Sequence, residues 1–143
     1  MPTYSSTAIW RGNLPDGNGE MTVGENRYTG PYSFASRFEA SGDATNPEEL
    51  VGAAHAGCFS MAFSLILSDA GFEPNSIETT AEVSLKEDPN GGFHIPEITL
   101  HTKGDVPGID AETFKEKAAE AKAGCPVSKL YQGATIKVQA KLS

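Results

Sequence analysis

The chain has 143 residues, a length typical of one domain and sufficient to bury a hydrophobic core without disulfide or metal staples. Its 19 acidic and 11 basic residues give a formal net charge of −8, which argues against nucleic acid or an anionic membrane as a partner. The N-terminal sequence lacks the pattern of a signal peptide, and no uninterrupted apolar run approaches the roughly 18–20 residues of a membrane span. We therefore expect one domain, residues 1–143, in a soluble cytoplasmic protein.

The first 40 residues predict extended structure. The segments "STAIWRG" and "EMTVG" read as strands on either side of "NLPDGNG", which is rich in turn-forming residues. A further extended piece, "YSFASRFEA", would alternate Arg37 with Ser36 and Phe38, so Arg37 could point inward. An arginine in a core needs a carboxylate, and Glu49 is a candidate for that role.

A long helix follows. Asn46 is a good N-cap, Pro47 suits the first helical position, and Glu49 can complete a capping box. The helix should run to about residue 70 and end before Gly71. Because glycine weakens a helix, Gly57 allows a bend near the middle.

The second half alternates strands with one more helix. "SIETTAEVSLK" has strand periodicity, and "FHIPEITLHTK" returns after a turn, with Pro96 suggesting an edge or a bulge. Asp110 should cap an amphipathic helix that Gly124 closes, and "ATIKVQAKLS" forms a final strand. The order strands, helix, strands, helix, strand predicts an α+β fold.

The long helix is apolar on every side, so every side must be covered. One line along it carries only small residues, which would let another backbone approach closely. These residues are Ala53, Gly57, Ser60, Ser64 and Ser68. They would pack either on the same helix of a second subunit or under the sheet of their own chain.

Two cysteines, Cys58 and Cys125, are the only thiols, and they do not form a CxxC pair. Two thiols and three scattered histidines do not supply the spacing of a structural zinc site, so we expect no metal and no cofactor. From composition alone, each cysteine could be an inert packed residue or a reactive thiol. His55 lies three residues before Cys58, so it is either a Cys/His partner or an ordinary core histidine.

Two blocks around the cysteines are more specific than their spacing. "TNPEELVGAAHAGCFSMAFSLILSDAGF" and "AKAGCPVS" closely resemble the osmotically inducible protein C (OsmC) branch of the OsmC/Ohr family of thiol-dependent peroxidases. "VPGIDAETF" and "RFE" are similar to the same branch, and the resemblance spans essentially the whole chain. One departure is Gly57, where alanine is usual in the family. The resemblance implies an intertwined homodimer in which antiparallel strands of both chains wrap two long central apolar helices.

The resemblance also implies roles for four residues. Cys58 would be the peroxidatic cysteine, and its sulfenic acid would condense with the resolving Cys125 to a disulfide. Arg37 would favour the Cys58 thiolate and orient the peroxide, and Glu49 would hold Arg37. An external dithiol, which in the family can be a lipoyl protein, would reset the disulfide. The implied role is defence against oxidative and osmotic stress.

The expected substrates are organic hydroperoxides and, more weakly, hydrogen peroxide. An apolar wall would favour the organic hydroperoxides, and it would consist of Phe38, Phe59, Met61 and Leu65. Two other functions are compatible with the same residues: a non-enzymatic carrier or sensor of apolar molecules, and a two-cysteine redox relay that acts on the disulfide of another protein.

Helix geometry adds a constraint on Glu49. Cys58 lies nine steps further along the helix, which is about 900° of rotation and places the two side chains roughly half a turn out of phase. Either the helix breaks or bends between Gly52 and Gly57, or the Arg37–Glu49 pair serves the Cys58 of a partner chain.

Overall fold

The computed structural model describes all residues from 1 to 143, which form two compact units, Met1–Leu50 and Val51–Ser143. Strands and helices follow one another in groups along the chain, as three strands, two helices, two strands, two helices and one strand, so the α+β class predicted from the sequence is confirmed. A compact unit need not fold alone, so the expectation of one domain over residues 1–143 stays a prediction.

The first unit contains a three-stranded antiparallel sheet in the order β1-β2-β3. Its strands are β1 (Thr7–Arg11), β2 (Asn18–Val23) and β3 (Tyr28–Tyr32). The first two were predicted, and the third was missed because Gly30 and Pro31 are poor strand formers. Pro31 is tolerated because β3 has only one neighbour in the sheet, so the strand can lose a ladder donor at little cost.

A short helix, α1 (Phe34–Phe38), replaces the extended segment predicted at "YSFASRFEA". The prediction was wrong because it took the alternation of side chains as decisive and ignored a local capping signal. Ser33 accepts a hydrogen bond from the backbone N–H of Ser36, and the Ser36 side chain accepts one from the backbone N–H of Ser33. This reciprocal capping box starts a helix that the alternation of side chains does not reveal.

The long helix α2 (Pro47–Asp69) is continuous. Asn46 caps it as predicted, because its Oδ1 accepts the Glu49 N–H at 2.8 Å. Gly71, with φ +92°, follows its C-terminal end. Of the two alternatives left open above, a break between Gly52 and Gly57 is therefore not what the structure contains.

The second unit contains the second sheet, in the order β4-β5-β6. Its strands are β4 (Ser76–Glu87), β5 (Phe93–Asp105) and β6 (Thr135–Leu142). Strands β4 and β5 are antiparallel, whereas β5 and β6 are parallel. The antiparallel arrangement expected from the sequence therefore does not extend to β6. The parallel pair requires a crossover, which the intervening helices provide.

Pro96 lies in a β-bulge of β5, as its position suggested. Ser84 pairs with Glu97 and Lys86 with His94, so two residues of β5, one of them Pro96, oppose a single residue of β4. The bulge lets a proline occur in the middle strand of the sheet, because the extra residue is left out of the hydrogen-bond ladder.

Two helices connect β5 to β6. Helix α3 (Ala111–Gly124) begins at the predicted cap Asp110, and a short helix, α4 (Pro126–Leu130), follows it without having been predicted. Phe114 of α3 lies against Phe63 of α2, with ring centroids 4.9 Å apart. The core combines α2, α3 and β5, and its largest buried apolar residues are Phe59, Phe63, Leu67, Ile98, Leu100 and Phe114.

The opposite face of α2 is uncovered. Met61 and Leu65 are 77% and 62% exposed. Among the small residues of the line described above, Ser60 donates a hydrogen bond to Thr79 of β4. The space beside Gly57, where a side chain would lie, is open. The small-residue line is therefore divided between the chain's own sheet and solvent.

By length and composition alone, α2 could cross a membrane, although the sequence contains no uninterrupted apolar run of that length. Its most apolar window has a mean hydropathy of 1.8, and 28% of that window is buried. This is weak evidence, since the core helix of a soluble protein meets the same criterion.

Candidate active site

Cys58 and Cys125 meet inside the second unit. Both are free thiols, and their sulfur atoms share a hydrogen bond at a separation of 2.9 Å. Cys58 lies on α2 and is half-buried, whereas Cys125 is fully buried at the N-cap of α4. Because a disulfide bond measures about 2.05 Å, the two sulfurs need to approach by less than an ångström to bridge.

The surroundings of Cys125 favour its thiolate. Burial by itself would raise its pKa, but the hydrogen bond with Cys58 lowers it, and so do the Ser128 backbone N–H, the Ser128 hydroxyl and the Val127 N–H. None of these N–H groups makes a full capping hydrogen bond to the sulfur. The lowering of the Cys125 pKa is therefore the sum of several weaker contacts. The net result is a lowered pKa for Cys125.

The surroundings of Cys58 favour its thiol. Burial raises its pKa, and the hydrogen bond with Cys125 raises it further, against a smaller lowering by the Val127 N–H. In the neutral pair the Cys125 S–H donates to the Cys58 sulfur, and once Cys125 has ionised Cys58 is the thiol with a proton left to donate. No cation is among the causes of either shift. A Cys58 that attacks as a thiolate needs a positive charge from elsewhere.

His55 contacts the cysteine pair through a serine rather than directly. Its Nε2 lies 2.7 Å from Ser128 Oγ, and its ring packs edge-on against Tyr131 at 5.4 Å between centroids. His55 is fully buried, and that burial lowers its pKa, so the ring is neutral near pH 7. The alternative of a hydrogen-bonded Cys58–His55 pair is not what the structure contains.

Ser128 was missed by sequence reasoning. The signal available was the segment "GCPVS", in which Pro126 is a typical first residue of a helix and Ser128 follows two residues later. That signal predicts the short helix α4, but it does not reveal which buried side chain the hydroxyl meets 73 residues away.

Arg37 is paired with Glu48, and the prediction that Glu49 holds it is wrong. The Arg37 Nε donates to Glu48 Oε1 at 2.9 Å and its Nη2 to Oε2 at 3.0 Å, a two-point contact. Glu48 is almost completely buried, while Arg37 is half-buried. The Glu49 carboxylate instead accepts a hydrogen bond from Thr45 Oγ1 at 2.8 Å, so it remains at the helix N-terminus.

The residues predicted to line the substrate wall differ in exposure. Phe59 has no exposed surface and packs on Phe63 at 5.6 Å between centroids, so its assignment to substrate contact is corrected to a role in the core. Met61 and Leu65 are exposed on α2, and Phe38 has its ring 5.4 Å from the guanidinium carbon of Arg37. For these three residues substrate contact stays a prediction.

Comparisons with known proteins agree with this architecture. Residues 40–141 match the family described as OsmC-like protein. The chain is 50% identical over 126 residues to the peroxiredoxin OsmC of Escherichia coli, covering 87% of each protein. It is 35% identical over 138 residues to organic hydroperoxide resistance protein-like 2 of Staphylococcus epidermidis, covering 91% of this chain and 89% of that protein.

Solved structures agree as well. The chain is similar to an organic hydroperoxide resistance protein from Elizabethkingia anophelis, with a TM-score of 0.81, 25% identity and 99% of each chain covered. It is also similar to the corresponding protein OhrB of Bacillus subtilis, with a TM-score of 0.75, 27% identity and 98% of each chain covered.

Proposed function

Because the chain belongs to the OsmC-like protein family, we propose that it is a thiol-dependent peroxidase that reduces organic hydroperoxides. Relatives named peroxiredoxin and organic hydroperoxide resistance protein support the reaction class. The observation that carries the proposal is the 2.9 Å separation of the Cys58 and Cys125 sulfurs, which suits a thiol pair that alternates with a disulfide.

The proposed reaction begins at Cys58, the more exposed thiol of the pair. Its thiolate attacks the terminal oxygen of the hydroperoxide, the O–O bond breaks, and an alkoxide leaves with a sulfenic acid remaining on Cys58. The alkoxide takes up a proton from water and becomes the alcohol. The Cys125 thiol condenses with that sulfenic acid, releases water and forms the disulfide. An external dithiol, such as a lipoyl protein, then reduces the disulfide by exchange and is itself oxidised.

In this proposal Arg37 supplies the cation that the thiol pair lacks. A guanidinium beside the thiolate lowers the pKa of that thiol and steadies negative charge on the departing oxygen. Glu48 fixes the guanidinium through two hydrogen bonds that use Nε and Nη2, which leaves Nη1 to face an anion. The role first assigned to Glu49 passes to Glu48 for this reason.

Which chain's Cys58 the Arg37–Glu48 pair serves is open to a direct test. The half-turn argument concerned Glu49 and does not transfer to Glu48, which lies one residue earlier on the helix. Arg37→Met and Cys58→Ser would each inactivate a homodimer. A mixture of the two, unfolded and refolded together, would regain about a quarter of the wild-type activity if the pair acts across chains, because half of the dimers are mixed and each mixed dimer has one intact site. Activity confined to the same chain would leave the mixture inactive, because no chain would hold both residues.

The homodimer, the apolar substrate wall and the cytoplasmic location belong to the same proposal. The exposed Met61 and Leu65 on α2 support a dimer, since a second copy would cover them. The edges of that interface, together with Phe38, would give an organic hydroperoxide an apolar surface that hydrogen peroxide cannot use. We therefore expect a higher kcat/KM for cumene hydroperoxide than for hydrogen peroxide. A reducing compartment would supply the dithiol.

Mass spectrometry of the reduced protein after one equivalent of cumene hydroperoxide tests the mechanism. We expect a Cys58–Cys125 disulfide in the wild type, and sulfenic or sulfinic acid on Cys58 in Cys125→Ser. Unchanged peroxide consumption by Cys58→Ser would favour an apolar-ligand carrier instead. Disulfide exchange with other proteins far faster than peroxide consumption would favour a redox relay.

A further inference from the structure

A buried line of polar side chains leads from α2 to the sulfur of Cys125. His55 Nε2 lies 2.7 Å from Ser128 Oγ. Ser128 is the third residue of α4 and Cys125 is its N-cap, so both side chains lie at the same helix end, and the Ser128 hydroxyl is one of the groups that lower the pKa of Cys125. All three residues are buried, and the proposed reaction uses only the last of them. Burying three polar groups costs free energy unless each has a hydrogen-bond partner. Their arrangement therefore calls for a functional explanation.

The direction of the hydrogen bonds follows from the other nitrogen of His55. Its Nδ1 is buried and has no hydrogen-bond partner. A proton on Nδ1 would leave a buried donor unsatisfied, so the proton belongs on Nε2. His55 then donates to Ser128 Oγ, and the Ser128 hydroxyl proton is released to point toward Cys125.

Other titratable groups around this line do not compete for that proton. Cys58 contacts Cys125 from α2 and can donate its S–H once Cys125 is a thiolate, while burial raises the pKa of Tyr131, whose ring packs on His55. A Cys125 thiolate can therefore accept hydrogen bonds both from Cys58 and from Ser128. Negative charge on the pair is best accommodated on the buried sulfur, away from the sulfur that a reductant can reach.

We infer that His55 and Ser128 are positioning residues that make Cys125 the leaving sulfur when a dithiol opens the Cys58–Cys125 disulfide at Cys58. One thiolate of the dithiol bonds to the Cys58 sulfur, and the bond between the two cysteines breaks with its electron pair on Cys125. The Ser128 hydroxyl, held by His55, stabilises that thiolate. The second thiol of the reductant then displaces Cys58, which takes up a proton, as Cys125 also does, and the reductant leaves as a cyclic disulfide.

The inference deepens the proposed function, but its test needs no peroxide. Diamide, a thiol oxidant, can form the disulfide in the purified protein, and stopped-flow mixing with dithiothreitol then measures its opening. Ser128→Ala removes the hydroxyl, and we expect opening to become about 10-fold slower. Ser128→Thr keeps a hydroxyl and should restore most of the rate.

Two further variants separate positioning from general disturbance of the fold. The double variant His55→Phe, Ser128→Ala removes both polar groups, so no buried donor is left unpaired. Its disulfide should open as slowly as that of Ser128→Ala alone. Ser60→Ala is the matched control, since it removes a half-buried hydroxyl of α2 that bonds to Thr79 instead, and its rate should stay within about twofold of wild type.

Two readouts distinguish this role from a structural one. Thiolate absorbance of the reduced protein against pH should show the first ionisation moving to higher pH in Ser128→Ala and not in Ser60→Ala. Acid quenching during reaction of the oxidised wild type with 2-mercaptoethanol, followed by peptide mapping, should place the adduct on Cys58. An adduct on Cys125, or equal opening rates in wild type, Ser128→Ala and the double variant, would overturn the inference.

Failure of the proposed function would look different. Normal opening of the diamide-formed disulfide without any consumption of cumene hydroperoxide would overturn the peroxidase and leave the inference standing. A wild-type protein in which diamide forms no Cys58–Cys125 disulfide would overturn the inference itself.

Discussion

The chemistry of single residues depends here on which hydrogen-bond donors surround them. Cys58 and Cys125 share one hydrogen bond, yet their pKa values shift in opposite directions because the backbone and hydroxyl donors of α4 gather around Cys125. The same local logic separates Glu48 from Glu49. Two adjacent carboxylates take different partners, one a guanidinium and the other a threonine hydroxyl at the helix start.

The two glutamates offer a matched pair of substitutions. Glu48→Gln removes the charge that holds Arg37 at two points, so we expect kcat/KM for cumene hydroperoxide to fall about 10- to 100-fold. Glu49→Gln loses only a hydrogen bond to Thr45 and should stay within about twofold of wild type. Steady-state turnover measures both, and an equal loss in the two variants would contradict the assignment of Glu48.

His55 makes the stability of the chain sensitive to acid. Burial lowers the pKa of the folded-state imidazole below its ordinary value of about 6.5, so the unfolded chain binds more protons between the two values. The contribution is fully present above about pH 6.5 and is lost as the pH falls toward the folded-state pKa.

Urea unfolding of wild type and His55→Phe at pH 5, 6 and 7 measures this contribution. The free energy of unfolding of the wild type should fall more steeply with acid, by up to about 1.4 kcal/mol per pH unit. If the free energy of unfolding changed equally with pH in the two proteins, the buried histidine would not be the source of the acid sensitivity.

At the scale of elements, capping side chains decide where helices begin. Asn46 starts α2 by accepting the Glu49 N–H, and its own amide donates to the Ser36 carbonyl of α1 at 3.0 Å. One side chain thus ends the loop and ties two helices together near the Arg37–Glu48 pair. A cap in this position affects the ion pair as well as the helix.

Asn46→Ala should lower the free energy of unfolding by about 1–2 kcal/mol, because it removes the cap and the bond to α1. Asn46→Asp keeps the cap acceptor, and its negative charge suits a helix N-terminus, so it should lose less than half as much. Denaturant unfolding of the three proteins gives the comparison. A loss in Asn46→Asp as large as that in Asn46→Ala would contradict the prediction, because it would assign the whole effect to the bond with Ser36.

At the scale of the whole molecule, the second unit leaves one apolar face of α2 without a cover. The buried face of this helix packs on the second sheet and on α3, while Met61 and Leu65 face outward. Large apolar side chains grouped on one helix face of a folded protein mark an interaction surface. The proposed homodimer gives this face an occupant.

Sedimentation equilibrium at micromolar concentration should report a dimer for the wild type. Leu65→Glu places a charge on the exposed face of α2 and should weaken association at least about 10-fold. Leu130→Glu is the matched control, since Leu130 is 76% exposed and belongs to a different helix, α4, and it should leave the dimer intact. A folded wild-type monomer would end the dimer proposal.

The sequence by itself determined the elements whose signals are local. The caps at Asn46 and Asp110, the glycine after α2 and the period-two strands all act through neighbours a few residues away, so they could be read before folding was considered. The resemblance around the two cysteines predicted a redox-active thiol pair. These features account for most of the strands, both longer helices and the fold class.

Only the tertiary structure decided which side chains meet. Cys58 and Cys125 are 67 residues apart, and His55 and Ser128 are 73 apart, so packing of α4 against α2 brings each pair together. The physical reason is that a hydrogen bond requires a fit within tenths of an ångström, whereas periodicity fixes only the face on which a side chain lies.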